Sequence, residues 1–217
     1  MKAEQETGAV GMSSLKTMVK EKTFPYVTAG LILVNVVYYF IIALGGSTAS
    51  PAYMVSMGAD FAPYVFERHE FWRLLTCMFM HFSIQHLAGN MVYLGLLGWN
   101  YERIVGHLKF FLIYMLSGLG GSVVSCAYHQ LSGEYSVSAG ASGAVYGIIA
   151  MAVYLMYVAK KRTGSVILLY RIAIMLAFLF YSNFVNGRGV DIAAHIGGLV
   201  FGVILSLIFL PYKTKKQ

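Results

Sequence analysis

Residues 142–159 read SGAVYGIIAMAVYLMYVA, an apolar run broken only at Lys160. At about 1.5 Å of rise per residue, a helix of this length covers most of a hydrocarbon core about 30 Å thick. The run therefore reads as a membrane crossing. Val27–Leu44, Phe110–Ala127, Ile172–Phe184 and Ile192–Leu210 are equally free of charge. Across all 217 residues, 58% are hydrophobic and only 12% charged, with a mean hydropathy of +0.67. A soluble domain carries about twice that charged fraction. The sequence predicts an all-α, polytopic membrane protein: a bundle of six transmembrane helices at about 26–44, 83–100, 108–128, 141–159, 166–184 and 191–210.

The basic residues orient these spans. With the N-terminus in the cytosol, thirteen of the 16 lysines and arginines fall on the inside. Only Arg68, Arg73 and Arg188 fall outside. Cytosolic loops collect basic residues, so both termini are expected inside. The net charge of +7 then belongs to a membrane surface and implies no nucleic acid. Residues 1–24 are polar, of mixed charge and without a cleavable leader, so the first span acts as an anchor. Residues 25–211 form the six-span domain, and 212–217 a basic cytosolic tail. Cys77 and Cys126 sit in apolar context and suggest neither a disulfide framework nor a zinc site. The long connection from Gly45 to about Phe82 is rich in aromatic residues and is expected to lie on the membrane. No internal repeat is evident, which weighs against a transporter.

Polar groups inside spans are costly and mark function by default. Three stretches carry them: HFSIQHLAGN at 81–90, GASGAVYG at 140–147 and AHIGG at 194–198. Each has a structural explanation. Gly140, Ser142, Gly143 and Gly147 are small enough to let helices approach closely. His86 and Asn90, four residues apart on one helix face, suit an interhelical hydrogen bond. His195 can be a packed histidine bonded to a carbonyl. Depth couples the three stretches. Ser142 precedes Lys160, and His195 precedes Lys213, by the same eighteen positions, about 27 Å of helix. His86 lies about 25 Å and Asn90 about 20 Å before Arg103 on the same scale. Independent packing residues have no reason to share a level, whereas parts of one site do.

Such a set suits nucleophilic acyl transfer. A serine hydroxyl needs a base to take its proton, and His195 is the candidate. His86, Asn90 and the Ser142 N–H at a helix start can face a developing oxyanion. Asp191, one turn before His195, should sit nearer the rim, so the arrangement reads as a dyad.

These motifs, G-A-S-G-A-x-x-G at 140–147, H-x-x-x-x-H-x-x-x-N at 81–90 and A-H-x-x-G-x-x-x-G at 194–202, resemble those of the rhomboid family of intramembrane serine proteases. Trp72-Arg73 and Glu102-Arg103 also fit, and the resemblance covers about residues 70–205. It implies Ser142 as nucleophile, His195 as general base, and His86, Asn90 and the Ser142 N–H as the oxyanion hole. Tyr146 would stack on His195 in place of an acid, and His81 would belong to the hydrogen-bonded surroundings. Gly140 belongs to the same motif, while Gly198 and Gly202 would bring the sixth span against the fourth. Trp72, Arg73 and Glu102 would be structural. The resemblance implies single-pass transmembrane proteins as substrates, a multi-pass location in a bacterial plasma (inner) membrane, and no cofactor or metal. A gate formed by the fifth span and residues 183–190 is a further expectation.

Two alternatives are of another kind. A metal-dependent enzyme finds little support, because His81 and His86 are poorly spaced for one helix face and no H-E-x-x-H occurs. A non-enzymatic membrane binding or adaptor protein on the same fold predicts no reactive Ser142.

Overall fold

The computed structural model describes residues 23–164 and 190–212. The predicted fifth span at 166–184, nearly all of the proposed gate, residues 1–22 and the tail from 213 lie outside the described residues. Among the described residues the chain is helical and contains no strand, only an isolated backbone bridge between Asp60 and Ser138.

The first long helix is α1 (Tyr26–Gly45). The connection after it is folded into short helices: α2 (Pro51–Ser56), α3 (Ala62–Glu67), α4 (Arg73–Thr76) and a 3₁₀ turn at Cys77–Phe79. Among the described residues four long helices follow: α5 (Ile84–Val105), α6 (His107–Ser132), α7 (Ser142–Thr163) and α8 (Ile192–Phe209). Within α1, α6, α7 and α8 are stretches long and apolar enough to cross a membrane. Helix α5 is long enough, but His86, Asn90, Asn100, Glu102 and Arg103 make it more polar.

Helix α7 is the axis of the bundle. Two-thirds of its apolar window (67%) is buried, against 28% for α1. A helix apolar on every side must be enclosed or face lipid, and Ile148, Ile149 and Met151 are enclosed among Leu94, Phe110, Ile113 and Tyr114. Helices α6, α7 and α8 pack most extensively on one another, while α1 lies chiefly on α5. The outward residues of α1 and α8 are large and apolar, among them Leu33, Phe40, Val200 and Leu207. An exposed apolar surface of that extent suits lipid rather than water.

Glycines set the distance between α7 and α8. A Cβ on Gly202 would lie 2.5 Å from the Gly147 carbonyl oxygen, and one on Gly198 would collide with that of Gly143. The two backbones touch with no side chain between them, as small-residue stripes permit in membrane helices.

Charged residues brace the ends. The Glu102 carboxylate is fully buried. It accepts from the Val27 and Thr28 amides, the Thr28 hydroxyl and His107 Nδ1. It thus satisfies orphan N–H groups at the start of α1 with a negative charge on the favourable pole of the helix dipole. At the same end, Lys109 Nζ and the Tyr154 hydroxyl donate to the carbonyls of Phe209 and Leu210 that close α8. At the other end Arg73 is buried and bonds Glu70 and the carbonyls of Val55 and Ala59. That side chain holds the α2–α4 connection together.

Candidate active site

Helices α5, α7 and α8 all begin at one end of the bundle, and their first turns carry the polar residues. Ser83 caps α5 by accepting from the His86 amide at 3.1 Å. Asp191 caps α8, its carboxylate accepting from the Ala194 amide at 2.9 Å. Both caps serve the general need of a helix start for acceptors. Helix α7 begins at Ser142 itself, after a turn through Gly140 at φ +145°, a conformation that L side chains rarely adopt.

His195 Nε2 and Ser142 Oγ are 2.9 Å apart, a hydrogen bond between two helices. The rings of Tyr146 and His195 stack with centroids 4.1 Å apart and planes within 11°. Tyr146 is buried and one turn after Ser142, so the helix that carries the serine also supports the imidazole. Gly198, one turn beyond His195, lies on Gly143 next to Ser142.

His86 and Ser142 converge on Gly140: a Cβ added there would lie 2.9 Å from His86 Cε1, 3.0 Å from His86 Nε2 and 3.6 Å from Ser142 Oγ, so a residue without a side chain is needed between them. The first N–H groups of α7, that of Ser142 included, have no partner within the helix. His81 lies behind: its ring stands edge-on to His86 with centroids 5.0 Å apart. His81 Nε2 accepts from the Ala141 amide at 3.4 Å. Burial pushes the His81 pKa down to about 3, with His86 adding to the effect, so the ring is neutral and keeps its acceptor. Asn90 is buried, but its Nδ2 donates to the His86 carbonyl of its own helix. One N–H of that amide group remains for another acceptor.

The structure also holds a polar cluster that residue patterns did not single out. Asp191 Oδ2 accepts from both the Ser125 and Ser138 hydroxyls. The carboxylate is thereby committed to Ser125, Ser138 and the helix cap. Ser138 is paired through its backbone, in both directions at 3.0 Å, with Asp60. Asp60 is buried at 2% exposure, and neither carboxyl oxygen has a hydrogen-bond partner of ordinary geometry among the described residues. Burial pushes the Asp60 carboxyl up to about 7; the Cys126 thiol and Arg73 pull it down, and Asp191 pushes it further up.

That shift sets a sign for stability. A carboxyl whose pKa is higher in the folded than in the unfolded chain makes the fold less stable as pH rises from about 4 to about 7, with no further loss above. At about 1.4 kcal/mol per pKa unit the penalty is a few kcal/mol. Asp60→Asn should therefore raise the Tm at pH 8 by about 5 °C or more, with little effect at pH 4. Thermal unfolding in detergent across that pH range measures it. Equal shifts at both pH values would contradict the assignment.

Comparison with known proteins places the same residues in one family model: the Rhomboid domain matches residues 68–212. The chain is 38% identical over 167 residues to RHOMBOID-like protein 2 of Arabidopsis thaliana, covering 74% of this chain and 49% of that protein. It is 32% identical over 183 residues to Rhomboid protease GluP of Bacillus subtilis, covering 83% and 33%. It is 31% identical over 214 residues to Rhomboid protease AarA of Providencia stuartii, covering 87% and 74%. The chain thus spans less than half the length of the Arabidopsis and Bacillus relatives.

Proposed function

Because the chain belongs to the rhomboid family of multi-pass membrane proteins, we propose that it is an intramembrane serine endopeptidase working through a Ser142–His195 dyad. The observation that carries this reading is the 2.9 Å contact between Ser142 Oγ and His195 Nε2, at the head of two largely apolar helices. A hydroxyl is a weak nucleophile until a base within hydrogen-bond reach takes its proton.

The geometry supports the following steps. His195, neutral and protonated on Nδ1, accepts the Ser142 proton at Nε2 as Oγ attacks the carbonyl carbon of the scissile bond. The carbonyl π pair moves to oxygen. The oxyanion is taken up on the Gly140 side of Ser142, where His86 Nε2–H, the Ser142 N–H and the second Asn90 N–H can donate. Donors fixed in advance stabilise developing charge without reorganisation. His195 then gives its proton to the leaving nitrogen, the C–N bond breaks, and an acyl-serine remains. A water molecule, deprotonated by His195, attacks that ester and releases Ser142. Tyr146 keeps the imidazole facing the serine through both protonation states, the task a third acidic residue performs elsewhere.

The surroundings support single-pass transmembrane proteins as the substrate class. An extended peptide must reach Ser142 while its backbone groups remain bonded, because unpaired amides in lipid cost several kcal/mol each. A single-pass transmembrane protein, locally unwound at small residues, meets that condition at the head of α7. Six spans are part of the same proposal. Helices α5, α7 and α8 all start at the level of the site, as alternate spans of such a bundle would. So are cytosolic termini, since Arg103, Lys109, Lys160 and Lys161 gather at the opposite end. A bacterial plasma membrane is the location proposed.

Reconstitution in liposomes with a model single-pass protein tests the function. The expected result is one cut within or beside the substrate's span, mapped by mass spectrometry. Cleavage only in soluble, water-exposed regions would overturn it.

A further inference from the structure

We propose that Ser138 and Asp191 are a positioning pair that fixes the axial register of the dyad, an inference that rests on the protease reading above. Ser138 stands four residues before Ser142, and Asp191 four residues before His195. The Ser138 hydroxyl donates to Asp191 Oδ2, so the two segments entering α7 and α8 are bonded to each other once at Ser142–His195 and again at Ser138–Asp191.

The need for the second bond comes from the way the helices touch. Gly198 and Gly202 lie directly on Gly143 and Gly147. Such contacts set the separation of the axes, and at the glycines themselves no side chains interdigitate to oppose sliding; Tyr154 ties α7 to the far end of α8 through the Leu210 carbonyl, which leaves the end at the dyad to be held. A slide of one residue's rise, about 1.5 Å, would carry His195 Nε2 out of hydrogen-bond reach of Ser142 Oγ. A directional bond at the start of α8 resists that slide.

Ser138 is itself held on the other side. Its backbone pairs with Asp60 in both directions at 3.0 Å. The residues between it and the nucleophile are also fixed: Gly140 N donates to the Cys77 carbonyl at 2.9 Å, and Ala141 N donates to His81 Nε2. Asp191 is tied in turn to α6 through Ser125 and to its own helix through Ala194 N. The pair therefore joins two braced segments. Both of its carboxylate oxygens are engaged in this brace, with Ser125, Ser138 and Ala194.

A misplacement of about 1 Å can cost on the order of 10²-fold in rate. Ser138→Ala should thus lower kcat on a single-pass substrate by about 10- to 100-fold and slow fluorophosphonate labelling of Ser142 alike. KM should stay within about two-fold and the Tm within about 2 °C, the loss expected of an exchange that leaves α8's cap intact. Ser138→Thr, which keeps the hydroxyl, should restore most of the rate. Asp191→Asn keeps a good helix cap and should cost less in the Ser138→Ala background than alone. The measurement is run on the reconstituted full chain beside wild type and Ser142→Ala. If wild type cleaves and labels while Ser138→Ala does so at the wild-type rate, the positioning role is overturned and the protease stands. A Ser138→Thr variant as slow as Ser138→Ala overturns it too. If wild type itself neither cleaves nor labels, both readings fall.

Discussion

Alanine at position 142 is expected to abolish labelling by a fluorophosphonate probe and all cleavage of a single-pass substrate, while the protein folds as before. The loss should reach on the order of 10³- to 10⁶-fold in kcat, the range for removing a serine nucleophile that acts as a unit with its base. Folding should survive because the change is gentle. Alanine is the best helix former, Ser142 lies at the first position of α7, and its hydroxyl is half-buried. The lost hydrogen bond to His195 is worth about 1 kcal/mol, and the imidazole keeps its stack on Tyr146. His195→Ala should lose activity to a similar extent, and the double variant should be no worse than either single one, since base and nucleophile serve one step. Labelling rates and Tm values for the four proteins decide it. Persistent labelling of Ser142→Ala would put the nucleophile elsewhere and return Ser142 to the role of a small packing residue.

The relation between sequence and structure here depends on how far apart interacting residues lie. What could be read were features written into one stretch of chain. The apolar runs located α1, α6, α7 and α8 to within a few residues, because a lipid-facing helix needs little beyond length and hydropathy. Counting back from Lys160, Lys213 and Arg103 put Ser142, His195 and His86 at one depth; Ser142 and His195 are hydrogen-bonded, and His86 and Ser142 both approach Gly140. The end of α5 was harder. Glu102 and Arg103 looked like the end of a span near residue 100, yet the helix continues to Val105. Glu102 can stay buried there because it meets amides at the start of α1, about 75 residues away in sequence, a partner no local pattern announces.

The Asp60–Ser138–Asp191–Ser125 cluster was invisible for the same reason. Its four members sit on four segments, and each alone is an ordinary loop, cap or helix residue. The one sequence cue was an aspartate immediately before an apolar run, where a helix cap is expected. Asn90 adds a different lesson. Its spacing from His86 is correct for a shared helix face, but spacing does not reveal that its amide donates to the His86 carbonyl on that face. The connection at 45–82 read as a long loop because its short helices, of four to six residues, rest on tertiary bonds to Arg73 more than on any periodic pattern.

Valine at position 198 should destabilise the fold and disable the site. The Cβ that any L residue adds there runs into the Gly143 carbonyl, with the carbonyl carbon at 2.8 Å and Cα at 3.1 Å. These are backbone atoms of a central helix and cannot turn aside as a flexible side chain does. Overpacking in a tight interior costs about 1–3 kcal/mol and sometimes more, and a branched side chain against a backbone belongs at the upper end. The strain also has a direction. Gly143 adjoins Ser142, and Gly198 is one turn from His195, so separating the two glycines separates nucleophile from base. Gly198→Val should therefore lower the Tm by about 5 °C or more and reduce labelling per folded molecule by at least about 10²-fold. Gly202→Val meets Gly147 just as closely, its Cβ 2.6 Å from that Cα. It lies one turn further from the dyad and should cost similar stability with a smaller loss of labelling. Gly89→Ala on the exposed side of α5, where a new Cβ meets nothing within 4 Å, should be neutral or stabilise by up to about 1 kcal/mol. That ordering separates a glycine needed for contact from one that is only permitted. A Gly198→Val protein with wild-type Tm and labelling rate would mean that some other contact brings the serine to the histidine.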